Sequence, residues 1–153
     1  VSGKKAPHCY SRELKHRGQS IINEFSMYDN TLAFSCGNEV NHVVPLGEEP
    51  GWNAPCLKKF VRDMRAYINH CSTSPSSGMR HVPVGLITAD SDRFENTMYY
   101  NCAPQKNDSD LDDTSHITKF SLERAEWYGL NTYVFCDGNA SSYDQAKGFD
   151  SLV

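Results

Sequence analysis

Stretches of helical periodicity alternate with short apolar runs along the whole chain, and this alternation constrains the fold more than any other feature. Leu14, Ile21, Ile22 and Phe25 form one stripe, which predicts an amphipathic helix from Ser11 to Met27. After the stop signal Asp29-Asn30 comes "TLAFS", Thr31 to Ser35, short and mostly apolar, as a buried strand is; Gly37 is expected to break it. The loop from Val43 to Pro55 is rich in proline and glycine. The clearest helix follows, from Cys56 to Cys71. Leu57, Phe60, Val61, Met64, Ile68 and Cys71 lie on one face of it, and Lys58, Lys59, Arg62, Asp63 and Arg65 on the other. "VPVGLIT" (Val82 to Thr88) reads as a second strand, Arg93 to Tyr100 as a short helix, and "WYGLNTYVF" (Trp127 to Phe135) as a third strand. Helix, strand, helix, strand, helix, strand is the order of a parallel α/β sheet or a (β/α) barrel, because parallel neighbours need a crossover between them.

In such folds ligand and catalytic groups gather at the carboxyl ends of the strands. Asn38 and Glu39 follow the first predicted strand; Thr88, Asp90 and Asp92 follow the second; Asn131 and Tyr133 close the third. An acid that protonates a glycosidic oxygen, beside an amide that holds the sugar's 2-hydroxyl, is a requirement of glycoside hydrolysis. Glu39 and Asn38 have those chemistries side by side, and the Tyr133 phenol is suited to hold a second carboxylate ionised.

The blocks "YDNTLAFSCGNEV", "RHVPVGLITAD", "YYNC" and "RAEWYGLNTYVFC" occur in this order. Together they resemble the middle of the catalytic domain of glycoside hydrolase family 72, the fungal cell-wall β-1,3-glucanosyltransferases, from about Leu14 to Cys136. The resemblance implies a (β/α)8 barrel that cleaves β-1,3-glucan and passes the glycosyl group to another glucan chain. Glu39 matches the family's general acid/base. Asn38 matches the asparagine that touches the 2-hydroxyl, and Tyr133 matches a tyrosine near the nucleophile. Asp90 is taken as a further substrate contact. The three predicted strands would be the fourth to sixth of the barrel. The nucleophile expected from the family is a glutamate on the seventh strand, which does not match any residue of this chain. A complete barrel takes roughly 250 residues, so 153 residues read as a single-domain fragment, about strands 4 to 6 with their helices. The alternative is a shortened relative that binds glucan without cutting it.

Six cysteines without a CxxC pair speak for an oxidising compartment and against a zinc ribbon, with the bridging pattern open. The resemblance implies that Cys102 and Cys136 bridge to partners further along. Cys36 reads as a buried thiol. Sequons at Asn107 and Asn139 agree with secretion to the cell surface or wall, and a lipid anchor would lie beyond Val153. Val1 and the lack of a signal-peptide pattern read as a mature or trimmed chain. The net charge of −4 argues against a nucleic-acid partner. No apolar run reaches the roughly 18 residues of a membrane span. The acidic run Asn107 to Asp113 reads as a solvated loop, since its spacing does not fit an EF-hand. Two carboxylates need no metal or organic cofactor, and none is expected. The expected partners are β-1,3-glucan and laminari-oligosaccharides.

Overall fold

The computed structural model describes residues 4–39, 52–90, 93–101 and 124–131. Helix α1 (Arg12–Phe25) starts where the extended Ser11 accepts a hydrogen bond from the Leu14 N–H through its hydroxyl, relieving one of the unpaired donors of the first turn. Helix α2 (Ala54–Ser72) begins two residues before the expected Cys56, with Pro55 in its first turn, where a missing N–H costs nothing. Its predicted apolar face is the one it buries: Leu57, Val61, Met64 and Ile68 are each at most 2% exposed. The two helices meet at Gly18, where a Cβ would lie 2.6 Å from Met64 Sδ and 2.8 Å from Phe60 Cε2. A disulfide between Cys9 and Cys56 ties the segment before α1 to the start of α2.

Three parallel strands, β1 (Phe34–Asn38), β2 (Val84–Ala89) and β3 (Tyr128–Asn131), lie side by side in chain order. Helix α3 (Arg93–Asn101) follows β2. The first strand differs from the expected Thr31–Ser35, and Gly37 lies inside it rather than ending it. The residues before it are held by a side chain: Arg80 Nη2 donates to the carbonyls of Tyr28 and Thr31, at 2.5 and 3.0 Å. The ladder starts only where the Phe34 N–H donates to the Pro83 carbonyl, 2.9 Å away. Ser35 pairs with Gly85 but Asn38 with Ile87, so β1 spends one extra residue between those pairs. This is a bulge, and Gly37 sits in it. The second strand begins after Pro83, which has no N–H to give a ladder. Of the expected third strand, residues 132–135 lie outside the described residues.

Pairing assigns the faces. Phe34, Cys36, Val84, Leu86 and Tyr128 point toward the helices and join Leu57, Phe60, Val61, Met64, Ile68 and Tyr100 in one core. The opposite face carries Ser35, Asn38, Gly85, Ile87, Ala89, Gly129 and Asn131. At the amino end of the sheet Glu126 clamps the central strand. Its carboxylate accepts the Val84 N–H at 2.8 Å, and its own N–H donates to the Val84 carbonyl at 2.9 Å. Arg65 pairs with the same carboxylate. That clamp sets the register of β3 on β2 and so fixes what meets at the other end.

Candidate active site at the carboxyl ends of the strands

Asn38 is the last residue of β1, and its amide Oδ1 accepts a hydrogen bond from Asn131 Nδ2, the last residue of β3, at 2.8 Å. Ninety-three residues separate the two in sequence. The contact passes over β2, and the register makes it possible. Asn131 pairs with Ala89 and Asn38 with Ile87, all on one face, and the small Ala89 leaves room for two amides to meet above the central strand.

Glu39 comes next, with its N–H donating to the Ile87 carbonyl at 2.9 Å, so it still belongs to the ladder. Its φ is +51°, and it is the only non-glycine residue in the left-handed region among the described residues. A side chain there costs roughly 1–2 kcal/mol. Glutamate is not a residue chosen to relieve that strain, as glycine or asparagine would be. Retained backbone strain of this kind clusters at functional sites.

Asp90, just past the end of β2, has a partner of its own. Arg93 Nη2 donates to Asp90 Oδ2 at 2.7 Å, and Arg93 Nε donates to Asp90 Oδ1. These bonds, and the Arg93 charge, hold the Asp90 carboxyl below the usual carboxylate range. Thr88 is turned away from this end. It is fully buried on the helix side, where its hydroxyl meets the Tyr128 hydroxyl at 2.5 Å. Cys36 also faces the helices, and burial pushes its thiol up to about 12, so it stays protonated and is no nucleophile at neutral pH.

The sequence profile of the glucanosyltransferase family, glycoside hydrolase family 72, matches residues 1–153. The chain belongs to that family. A 1,3-β-glucanosyltransferase of Candida albicans is 36% identical over 124 residues, which is 80% of this chain and 22% of the relative. One of Aspergillus fumigatus is 33% identical over 136 residues, 88% of this chain and 24% of the relative. The chain thus spans about a quarter of the length of these glucanosyltransferases. Among solved structures, Saccharomyces cerevisiae Gas2p in complex with laminaripentaose aligns over 94% of this chain and 27% of its own, at 23% identity and a TM-score of 0.61. Gas2p in complex with laminaritriose and laminaritetraose aligns over 93% of this chain and 27% of its own, with a TM-score of 0.57. The fold is therefore a section of an α/β barrel, three parallel strands with their helices.

Within this glucanosyltransferase segment, Asn38, Glu39 and Asp90 all stand at the carboxyl ends of β1 and β2. Tyr133, Asp92 and the sequons at Asn107 and Asn139 lie outside the described residues, as do Cys102, Cys136 and the acidic run 107–113. Asn131 had no place in the set of site residues read from sequence. The signal for it was the period of a strand: two residues before Tyr133, it falls on the same face of the predicted strand as that tyrosine.

Proposed function

We propose that this chain is the acid/base-bearing section of a retaining β-1,3-glucanosyltransferase of the fungal cell wall, with β1 to β3 as the fourth to sixth strands of its barrel. The observation that carries the reading is Asn38-Glu39 at the carboxyl end of β1, its amide bonded to the end of β3 and its acid held in a left-handed conformation. Glu39 donates its proton to the glycosidic oxygen as that bond breaks and a second carboxylate attacks the anomeric carbon. The leaving glucan departs as the alcohol. Glu39, now ionised, takes the proton from a hydroxyl of an incoming glucan, which attacks the glycosyl-enzyme and releases the lengthened chain. Asn38 donates to the 2-hydroxyl of the sugar that is transferred. Tyr133 holds the second carboxylate ionised. Asp90 contributes at the rim, where its oxygens retain acceptor capacity beyond the Arg93 pair. Asn107 and Asn139 are taken as glycosylated, in keeping with a protein at the cell surface or in the wall.

The second carboxylate must lie about 5–5.5 Å from the first in a retaining enzyme. Among the described residues, Asp90 is the only other carboxylate just past a strand's carboxyl end, and it is paired with Arg93. That observation favours a second reading in which this segment alone binds laminari-oligosaccharides without turning them over.

The test is Glu39→Gln in an active protein that carries this segment. Losing general acid/base catalysis removes roughly 10²–10⁴ in rate. Transfer from laminaripentaose, followed as product chain lengths, is expected to fall by that factor while calorimetric binding of laminaripentaose persists. A variant that elongates the oligosaccharide at the wild-type rate would refute the assignment.

A further inference from the structure

We propose that Asn131 is a positioning residue, which fixes the direction in which Asn38 presents its amide to the sugar. The inference deepens the glucanosyltransferase reading and rests on its assignment of Asn38 as the contact to the 2-hydroxyl.

A primary amide has two unlike ends, a carbonyl oxygen that accepts and an NH2 that donates. In a shallow, solvent-facing position nothing intrinsic to Asn38 selects between its two flipped orientations. Asn131 makes that selection. Its Nδ2 donates to Asn38 Oδ1 at 2.8 Å, so the carbonyl end of Asn38 is turned toward β3 and the NH2 end away from it. A hydroxyl whose oxygen gains electron density during transfer is better met by a donor than by a carbonyl oxygen. The chain places this partner with care. Ala89 lies beside Asn131 on the same face, and any larger side chain there would stand between the two amides.

The contact has little structural value, because both amides are exposed. A hydrogen bond of this kind contributes on the order of 1 kcal/mol or less. A role in folding and a role in positioning therefore separate cleanly in experiment.

The experiment uses the whole 153-residue chain, with laminaripentaose as the probe and calorimetry as the readout. The variants are Asn38→Ala, Asn131→Asp and the double substitution. An aspartate at 131 can only accept, so it repels the Asn38 carbonyl and favours the flipped amide. Asn131→Asp is expected to weaken binding about tenfold while the melting temperature is kept. Asn38→Ala is expected to do the same, and the double variant to be no weaker than Asn38→Ala, since Asn131 acts only through Asn38. Effects that multiply in the double variant, or wild-type affinity in Asn131→Asp, would overturn the proposal while leaving the role of Asn38 intact. Wild-type affinity in Asn38→Ala, or no binding by the unsubstituted chain, would defeat the underlying reading of Asn38 and this inference with it.

A second measurement needs no variant. In nitrogen-15 spectra of the unsubstituted chain, the side-chain NH2 signals of Asn38 are expected to shift as laminaripentaose saturates the site, with those of Asn131 nearly still. Shifts confined to Asn131 would mean that it meets the sugar directly and the positioning role is wrong.

Discussion

Gly85→Ala should be the most damaging one-carbon change in the described fold. Gly85 sits in the central strand on the face away from the helices, and Trp127 lies over it. A Cβ built there would be 2.2 Å from the Trp127 carbonyl oxygen and 2.5 Å from the indole. The indole can tilt, but the carbonyl is backbone. It can retreat the required ångström or so only by dragging the start of β3. That strains the Glu126 N–H bond to the Val84 carbonyl and the Leu86–Tyr128 pairing. Overpacking costs typically 1–3 kcal/mol, and each disturbed hydrogen bond adds about 1 kcal/mol, so the expected loss is about 3–5 kcal/mol. Two other glycines act as controls. At Gly129 the nearest atoms to a new Cβ are side-chain carbons at 3.2 and 3.3 Å, a contact relieved by a few tenths of an ångström. At Gly18 the clash is with the Met64 sulfur and the Phe60 ring, which can move, and alanine in mid-helix returns about 1 kcal/mol. Urea unfolding followed by tryptophan fluorescence should rank Gly85→Ala far below both. A midpoint for Gly85→Ala within about 1 kcal/mol of the unsubstituted chain would refute the argument, since it would mean the β2–β3 end yields freely.

Three further outcomes are expected. Replacing both Cys9 and Cys56 by serine opens a loop of 47 residues, for which loop entropy gives about 4 kcal/mol; a loss of about 2–4 kcal/mol in urea unfolding is expected, against no change from Cys71→Ser. Partial burial raises the Asp63 carboxyl, but hydrogen bonds from Arg62 and Tyr10 and the charges of Arg62 and Lys15 outweigh this and hold it below its ordinary value. Its contribution is therefore complete above the unfolded carboxylate value of about 3.9 and is lost as pH falls through the lower folded value, so Asp63→Asn should flatten the acid limb of a stability-against-pH curve below about pH 4. Glu39→Gly should match or exceed the stability of the unsubstituted chain by up to about 1 kcal/mol, because it relieves the left-handed conformation; in an active protein carrying this segment it should lose transfer, a divergence that melting and product analysis would read together.

The helices were legible because their signal repeats. Leu57, Phe60, Val61, Met64 and Ile68 restate one face over nearly five turns, and an error at one position would not move the rest. A short strand has no such redundancy. Thr31 to Ala33 have strand-like composition, yet Arg80, 49 residues on from Thr31, binds their approach and defers the ladder to Phe34. Gly37 reads as a breaker in isolation and serves as a bulge once β2 is beside it. The Cys9–Cys56 pairing and the Asn38–Asn131 bond are both long-range, and no local pattern encodes them.

The site divides along the same line. That an acid and an amide stand past the first strand could be read locally. What directs the amide could not, because the directing group arrives on the third strand, through a register that Glu126 sets at the opposite end of the sheet. The bulge at Gly37 belongs to this geometry too. With one extra residue between Ser35 and Asn38, the Asn38 side chain falls on the face of Ile87, Ala89 and Asn131; with regular pairing, residue 37 would face Ile87 and Asn38 would point toward the helices. Deleting Gly37 should therefore leave the helical core in place and turn Asn38 into it, which predicts loss of laminaripentaose binding with the far-ultraviolet circular dichroism preserved. Binding retained after that deletion would show that the bulge does not aim the site.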